Sequence, residues 1–251
     1  MITLGITNYN RCELLFESFI KIIDDERIDE ILISDDNSDN KIFDDVLNKL
    51  EYLKSKNESY NKVKIHRNVN NLGQFNNSKK VVELSKNDWI ILLDSDNIID
   101  FDYIDTIYNL RDVNTMYLPS HAICHSNNLN FTTYSNTLVD KIKYKQLLST
   151  RNIIWDIILN TGNFYFNKHT YLNCVNKEDT IINSYGGSPY YLNYLWMKNN
   201  MDSKILVTEN LKYIHRLDHS QYPTEETSIY TKNATNTMIL LDRISTEVSK
   251  W

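Results

Sequence analysis

The sequence predicts an α/β protein: a mostly parallel central sheet flanked by helices, a smaller region after it, and a C-terminal helix. Three observations carry that prediction. Short apolar runs alternate with amphipathic segments through residues 2–119, the pattern of repeated βα units. One run, Trp89-Ile90-Ile91-Leu92-Leu93, is too short for a helix and stops at two carboxylates, Asp94 and Asp96, one residue apart. The polar clusters of this half follow apolar runs, at 7–11, 34–38, 66–74 and 94–98, and right-handed crossovers gather such strand ends along one edge of a sheet.

The elements follow in order. An apolar strand over 2–7 gives way to a helix over about 11–24 that Asn10 is placed to cap. A strand over 29–34 containing Glu30-Ile31-Leu32-Ile33 precedes a helix over about 40–57, whose start offers Ser38 or Asp39 as caps. A strand at 62–66 is followed by the amide-rich segment Asn70-Asn71-Leu72-Gly73-Gln74 and a helix over about 74–86. Then come the strand 88–94, a helix over about 100–110 and a strand at 115–119. Further on, Asn160-Thr161-Gly162-Asn163-Phe164-Tyr165-Phe166-Asn167-Lys168 reads as a strand leading into a helix over 169–175. The stretch Tyr190-Tyr191-Leu192-Asn193-Tyr194-Leu195-Trp196-Met197 reads as a helix whose rings fill a core, with a platform for a sugar face as the alternative. A strand near 204–208 follows, and from Thr224 an apolar stripe of Ile229, Met238, Ile239, Leu240, Leu241, Ile244, Val248 and Trp251 marks a last helix. Three divisions result: 1–118, 119–225 and the helix 226–251.

Composition excludes several classes. With 251 residues and 41% apolar content the chain can bury a sizeable core, and no run approaches a membrane span. The start, Met1-Ile2-Thr3-Leu4-Gly5-Ile6, reads as a strand and not a signal peptide, so the expected compartment is the cytoplasm, with the inner face of the membrane as the alternative. Cys12, Cys124 and Cys174 are odd in number and far apart, which indicates neither a disulfide frame nor a zinc site. A net charge of −6 argues against nucleic acid as a partner. Oligomeric state is left open.

The carboxylate pair decides the chemistry. Side chains two apart on an extended chain point the same way, and in an open α/β sheet ligands bind at the carboxyl ends of the strands. Paired oxygens there suit Mg²⁺ or Mn²⁺ and, through the ion, a diphosphate. An EF-hand loop counted from Asp94 fails, because Ile98 and Ile99 fall where a ligand and a glycine are needed. Haloacid dehalogenase phosphatases place such a pair after their first strand, whereas here it follows the fourth. Neither Gly-x-Gly-x-x-Gly after the first strand nor a P-loop motif is present.

Read together, Thr7-Asn8-Tyr9-Asn10-Arg11, Ser34-Asp35-Asp36-Asn37-Ser38, Asn71-Leu72-Gly73 with Asn77, and Asp94-Ser95-Asp96-Asn97 resemble, in order, the family-2 glycosyltransferases, with their nucleotide-sugar-binding GT-A fold. The resemblance implies that Thr7, Tyr9 and Asp36 contact the uracil side of a nucleotide, that Asp94 contacts ribose or sugar, and that Asp96 holds the metal. It extends the nucleotide-sugar site to Arg11, Gly73, Asn77 and Ser95. In Tyr213-Ile214-His215-Arg216-Leu217-Asp218-His219 it points to His219 for the metal and to Arg216 and His215 for the diphosphate. Two departures, no Pro before Tyr9-Asn10 and Asn37 for Gly, remove no ligand, since Asn tolerates turn conformations.

A third departure is chemical. An inverting transferase needs a carboxylate base, and the family carries it just before the aromatic helix, where this chain reads Tyr185-Gly186-Gly187-Ser188-Pro189. Asp179 and Asp156 are the nearest candidates in sequence. The implied activity is inverting, metal-dependent transfer from a UDP-sugar to a glycan or lipid-linked glycan in bacterial surface-polysaccharide (capsule) synthesis, with peripheral membrane association as an open alternative. Two other readings stand beside it. The first is an inactive relative that only binds nucleotide. The second is a sugar nucleotidyltransferase, which the glycine-free Asn8-Tyr9-Asn10-Arg11-Cys12 disfavours.

Overall fold

The computed structural model describes residues 1–123, 129–150, 163–176, 188–216 and 226–251. Its elements are β1 (Ile2–Asn8), α1 (Glu13–Glu17), β2 (Ile28–Asp35), α2 (Asn40–Lys54), β3 (Val63–Arg67), α3 (Gly73–Leu84), β4 (Trp89–Asp94), β5 (Asn97–Ile98) and α4 (Phe101–Ile107). They continue with β6 (Thr115–Ile123), β7 (Leu129–Asn130), β8 (Leu138–Val139), α5 (Lys141–Thr150), β9 (Phe164–Asn167), α6 (Lys168–Val175), α7 (Ser188–Asn199), β10 (Lys204–His215) and α8 (Glu226–Ser249).

All described strands share one sheet in the order β3-β2-β1-β4-β9-β6-β10-β5, with β7 beside β6 and β8 beside β10. The expected parallel arrangement covers β3-β2-β1-β4. Beyond it β9 runs antiparallel to both β4 and β6, so the sheet becomes mixed where the second half of the chain begins. β10 then lies parallel to β6.

Strand alternation divides the core into two layers. Ile90 and Leu92 of β4 pack with α3, α6, α7 and α8 on one face, while Ile91 and Leu93 pack with α1 and α4 on the other. Gly5 lies where α3 presses closest to β1. A β-carbon there would sit 2.2 Å from Val81 Cγ1, inside any van der Waals contact. The aromatic helix α7 is core, with Tyr194 and Trp196 buried and the Trp196 indole N–H donating to the Lys204 carbonyl at 3.1 Å. α8 also packs on the body of the chain, burying Leu240, Leu241, Ile244 and Val248. Trp251, beyond α8, stacks between Tyr144 and Tyr194 at 6.2 and 6.0 Å. No helix among the described residues is long and apolar enough to cross a membrane.

Several boundaries differ from the sequence reading. The helix expected over 11–24 is five residues of α1 and a 3₁₀ turn at Ile20–Ile22. The Ser18 hydroxyl donates back to the Leu15 carbonyl at 2.6 Å, and Phe19 leaves helical geometry with its ring buried. The helix expected over 40–57 stops at Lys54, after which Asn57 caps a 3₁₀ turn by accepting from the Ser59 N–H at 2.9 Å. Strand β10 runs well past 208. An irregularity between Thr208 and Lys212, with Asn210 at φ 60°, lets the strand continue to His215.

Candidate functional site

The site is built where β1, β2 and β4 end side by side. Thr7 of β1 lies in register between Ser34 of β2 and Asp94 of β4. Its hydroxyl donates to Asp94 Oδ1 at 2.8 Å, and the Gln74 side chain at the start of α3 bonds the same carboxylate. The Ser95 N–H donates to the Thr7 carbonyl at 3.1 Å, carrying the sheet pairing one residue beyond β4 into the Asp94–Asn97 turn. Asp94 and Asp96 are thus presented by a fixed turn on a buried strand.

Burial, and then the charge of Asp96, push the Asp94 carboxyl up to about 6, against the opposing pull of Thr7 and Arg11. Arg11 Nη2 lies 3.0 Å from Asp96 Oδ2, and its Nη1 donates to the Ser95 hydroxyl at 3.3 Å. The donor set is therefore oxygen only: two carboxylates and a hydroxyl. Such a set fits a hard divalent cation. Among the described residues no group of three His, Cys, Asp or Glu completes a metal shell. His219, expected to join it, lies outside the described residues, as do Asp156 and Asp179.

The neighbouring turns are held by their own carboxylates. Asp35 accepts from the Ser38 N–H at 2.9 Å, the Ser38 hydroxyl at 2.5 Å and the Asn8 amide at 3.0 Å. The turn brings Asn37 to φ 62°, a conformation that suits Asn in the place of a glycine. Asp36 takes the Leu72 and Gly73 N–H groups at 2.7 and 2.9 Å and the Asn68 amide at 3.0 Å. Asn68 also donates to Asn77, whose own amide donates to the Ser34 carbonyl, so Asp36, Gly73 and Asn77 form one network between β2 and α3. Gly73 stands at φ 78°, a region that disfavours any side chain.

Two cap assignments are corrected. Asn10, at φ 53°, does not cap α1. Its side-chain oxygen accepts from the Asp39 N–H at 2.8 Å and so serves the start of α2. Neither Ser38 nor Asp39 caps α2 through its side chain, because Ser38 is engaged by Asp35 and by the Asn10 N–H. Tyr9, between these bonded neighbours, leaves its ring 48% exposed at the rim.

The extension of β10 brings the last constellation to the same turn. His215 and Asn97 pair in register, with the His215 Nδ1 and Asn97 Oδ1 2.8 Å apart. Arg216 is buried, and its guanidinium donates to the Asp96 carbonyl at 2.7 Å, to the Leu14 carbonyl at 2.9 Å and to Glu17. In this arrangement Arg216, expected at a diphosphate, braces the Asp96 backbone against α1. On the other side of Asp94, a recess of about 20 Å³, room for one water, is bordered by Gln74, Phe75 and Pro189 in the first turn of α7.

Sequence reasoning brought together Thr7, Tyr9, Arg11, Asp36, Gly73, Asn77, Asp94, Ser95, Asp96, His215 and Arg216, and the structure places all of them around these strand ends. It missed Gln74, Asn68 and Asn97. Each directly adjoins a feature already singled out, which is the signal that could have found them: Gln74 follows Gly73, Asn97 follows Asp96, and Asn68 follows β3.

Residues 3–173 match the family described as Glycosyl transferase family 2. Among solved structures, the chain is similar to the crystal structure of S. aureus TarS residues 1–349, with a TM-score of 0.61 and 12% sequence identity. The superposition covers 86% of this chain and 60% of that one, so this chain spans less than two thirds of its neighbour. None of the curated proteins compared with the sequence matches it.

Proposed function

The chain belongs to glycosyl transferase family 2, and from that membership we propose that it transfers a sugar from a UDP-sugar to a hydroxyl of a glycan or lipid-linked glycan, with inversion at the anomeric carbon. The observation that carries the proposal is the turn after β4, where Asp94 is bonded to Thr7 and Asp96 is paired with Arg11. In this reading residues 1–118 hold the donor and residues 119–225 the acceptor. Tyr9 stacks on the base, Asp36 and Gly73 set the wall beside it, and Asp94 accepts from the ribose or sugar hydroxyls. Asn77 and Ser95 support the same pocket.

Members of this family are often dependent on a divalent metal. Asp96 would hold Mn²⁺ or Mg²⁺, with His219 as a further ligand, and the ion would supply counter-charge to the departing diphosphate. Arg11 and His215 border the space the phosphates would take. The acceptor hydroxyl must lose its proton as it attacks, and Asp179 or Asp156 is proposed to receive it. Pro189, in the first turn of α7, lines the same recess as Asp94.

Incubating the protein with UDP-sugars, Mn²⁺ and hydroxyl acceptors, and following UDP release and product anomer, tests the proposal. Inverted product, lost in Asp96→Asn, is the expected result. Replacing the true base by Asn should lower kcat about 10²- to 10⁴-fold while UDP affinity stays. One observation favours a second reading: residues 185–189 contain no acid. If UDP binds while no donor turns over with any acceptor, the protein is a nucleotide-binding relative without transfer activity. The surface-polysaccharide role and contact with the inner membrane face are proposed on the family's chemistry alone.

A further inference from the structure

Asp96 already has a cation. Arg11 reaches it from the loop after β1 with one nitrogen at 3.0 Å, and with another it donates to the Ser95 hydroxyl. The guanidinium therefore spans the two residues that follow Asp94. Both charges are partly withdrawn from water, Arg11 at 22% and Asp96 at 11% side-chain exposure. In such surroundings a charge-assisted contact is stronger than at an open surface. A divalent cation bound through either oxygen of Asp96 would stand close to that guanidinium, and two cations so near each other repel strongly.

We infer that Arg11 is an internal counter-cation that competes with the divalent metal for Asp96, and that metal binding releases its guanidinium to the donor's diphosphate. This rests on the nucleotide-sugar reading of the same site. The loop that carries Arg11 is suited to such a move. Asn10 is fixed to Ser38 and Asp39, which anchors the loop at its base, whereas Arg11 reaches Asp96 and Ser95 through the end of its long side chain. A planar fork that leaves a carboxylate and a hydroxyl can engage two oxygens of a phosphate. The consequence is linkage. If Arg11 holds Asp96 for about nine-tenths to ninety-nine hundredths of the time, the apparent metal affinity without nucleotide falls about ten- to a hundredfold.

The test uses the full chain and two variants, Arg11→Gln and Arg11→Lys, with Mn²⁺ binding read from the paramagnetic resonance of free Mn²⁺ and UDP binding read by calorimetry. Competition predicts that Arg11→Gln binds Mn²⁺ without nucleotide about tenfold or more tightly than the wild type, yet binds UDP with Mn²⁺ about tenfold more weakly. Arg11→Lys keeps the charge and lacks the fork, so its Mn²⁺ affinity should lie between the two. An unchanged Mn²⁺ affinity in Arg11→Gln overturns the inference. So does an Arg11→Lys protein that titrates like the wild type, because a long-range charge effect alone would then suffice. In either case wild-type UDP binding would leave the nucleotide-sugar reading standing. Failure of the wild type to bind UDP overturns that reading, and this inference with it.

Discussion

At the scale of single residues, one side chain in the site is left exposed while its neighbours are bonded within the protein. Tyr9 presents a half-exposed ring beside backbone that is tied down on both sides. Stacking on a base is worth roughly 1–3 kcal/mol, so Tyr9→Ala should weaken UDP binding about tenfold or more, while Tyr9→Phe should not. The melting temperature should hardly move, since an exposed ring contributes little to folding. A Tyr9→Ala protein with wild-type UDP affinity would remove the ring from the site. Far from the strand ends, Asp25 illustrates a charge used for stability. Burial alone would raise its pKa, but hydrogen bonds from the Arg27 side chain and backbone, at 2.7–2.9 Å, outweigh burial and lower it. A carboxyl depressed in the folded state contributes stability above its unfolded value near 4, and loses it as pH falls through the folded value. Asp25→Asn should therefore cost about 1–3 kcal/mol at pH 7. That deficit should shrink in denaturant titrations repeated below about pH 4. A deficit that stays constant down to about pH 2 would show that the ion pair is not its source.

At the scale of elements, the site depends on how closely α3 approaches β1, because α3 begins with the Gly73-Gln74 step that reaches Asp36 and Asp94. Gly5 permits that approach. Gly5→Ala should destabilise the protein by about 1–3 kcal/mol through overpacking against Val81. Val81→Ala opens the space, so the double variant should recover part of the loss, a coupling of about 0.5–3 kcal/mol in thermal or denaturant unfolding. Strictly additive losses would mean that α3 moves freely away from β1. The same scale shows what was legible in the sequence. The strands β1 to β4 and the carboxylate turn were readable because buried parallel strands are continuous apolar runs that end abruptly. The break after α1 was not, since its apolar pattern continues through Phe19, Ile20, Ile22 and Ile23 while Ser18 and the buried Phe19 ring divert the backbone. The extension of β10 to His215 was missed for a related reason. Residues 208–212, Thr-Glu-Asn-Leu-Lys, carry no apolar run, and only pairing with β6 makes them a strand irregularity. Tertiary pairing overrides local pattern at such positions. The two cap misassignments share a cause as well. A polar side chain before a helix signals a cap, but its spatial partner can belong to another helix, as Asn10 shows.

At the scale of the whole molecule, one sheet joins the first four strands to the later ones, and the antiparallel strand β9 lies between β4 and β6. The rings of α7, of a type that suits sugar faces in principle, are buried core at Tyr190, Tyr191, Tyr194 and Trp196, and a row of rings runs from Trp251 through Tyr194 and Tyr191 to Phe75 at the start of α3. What the fold leaves at its strand ends is a carboxylate turn, an exposed ring and a glycine-opened loop, set by family membership in a nucleotide-sugar context. The most direct measurement is a calorimetric titration of UDP, GDP and CMP into the protein, with and without Mn²⁺, repeated on Asp96→Ala. A donor site of the proposed kind gives UDP binding that exceeds the other two nucleotides, strengthens with Mn²⁺ and loses that strengthening in Asp96→Ala. Absence of binding by every nucleotide, or UDP binding that ignores both Mn²⁺ and Asp96→Ala, would contradict it.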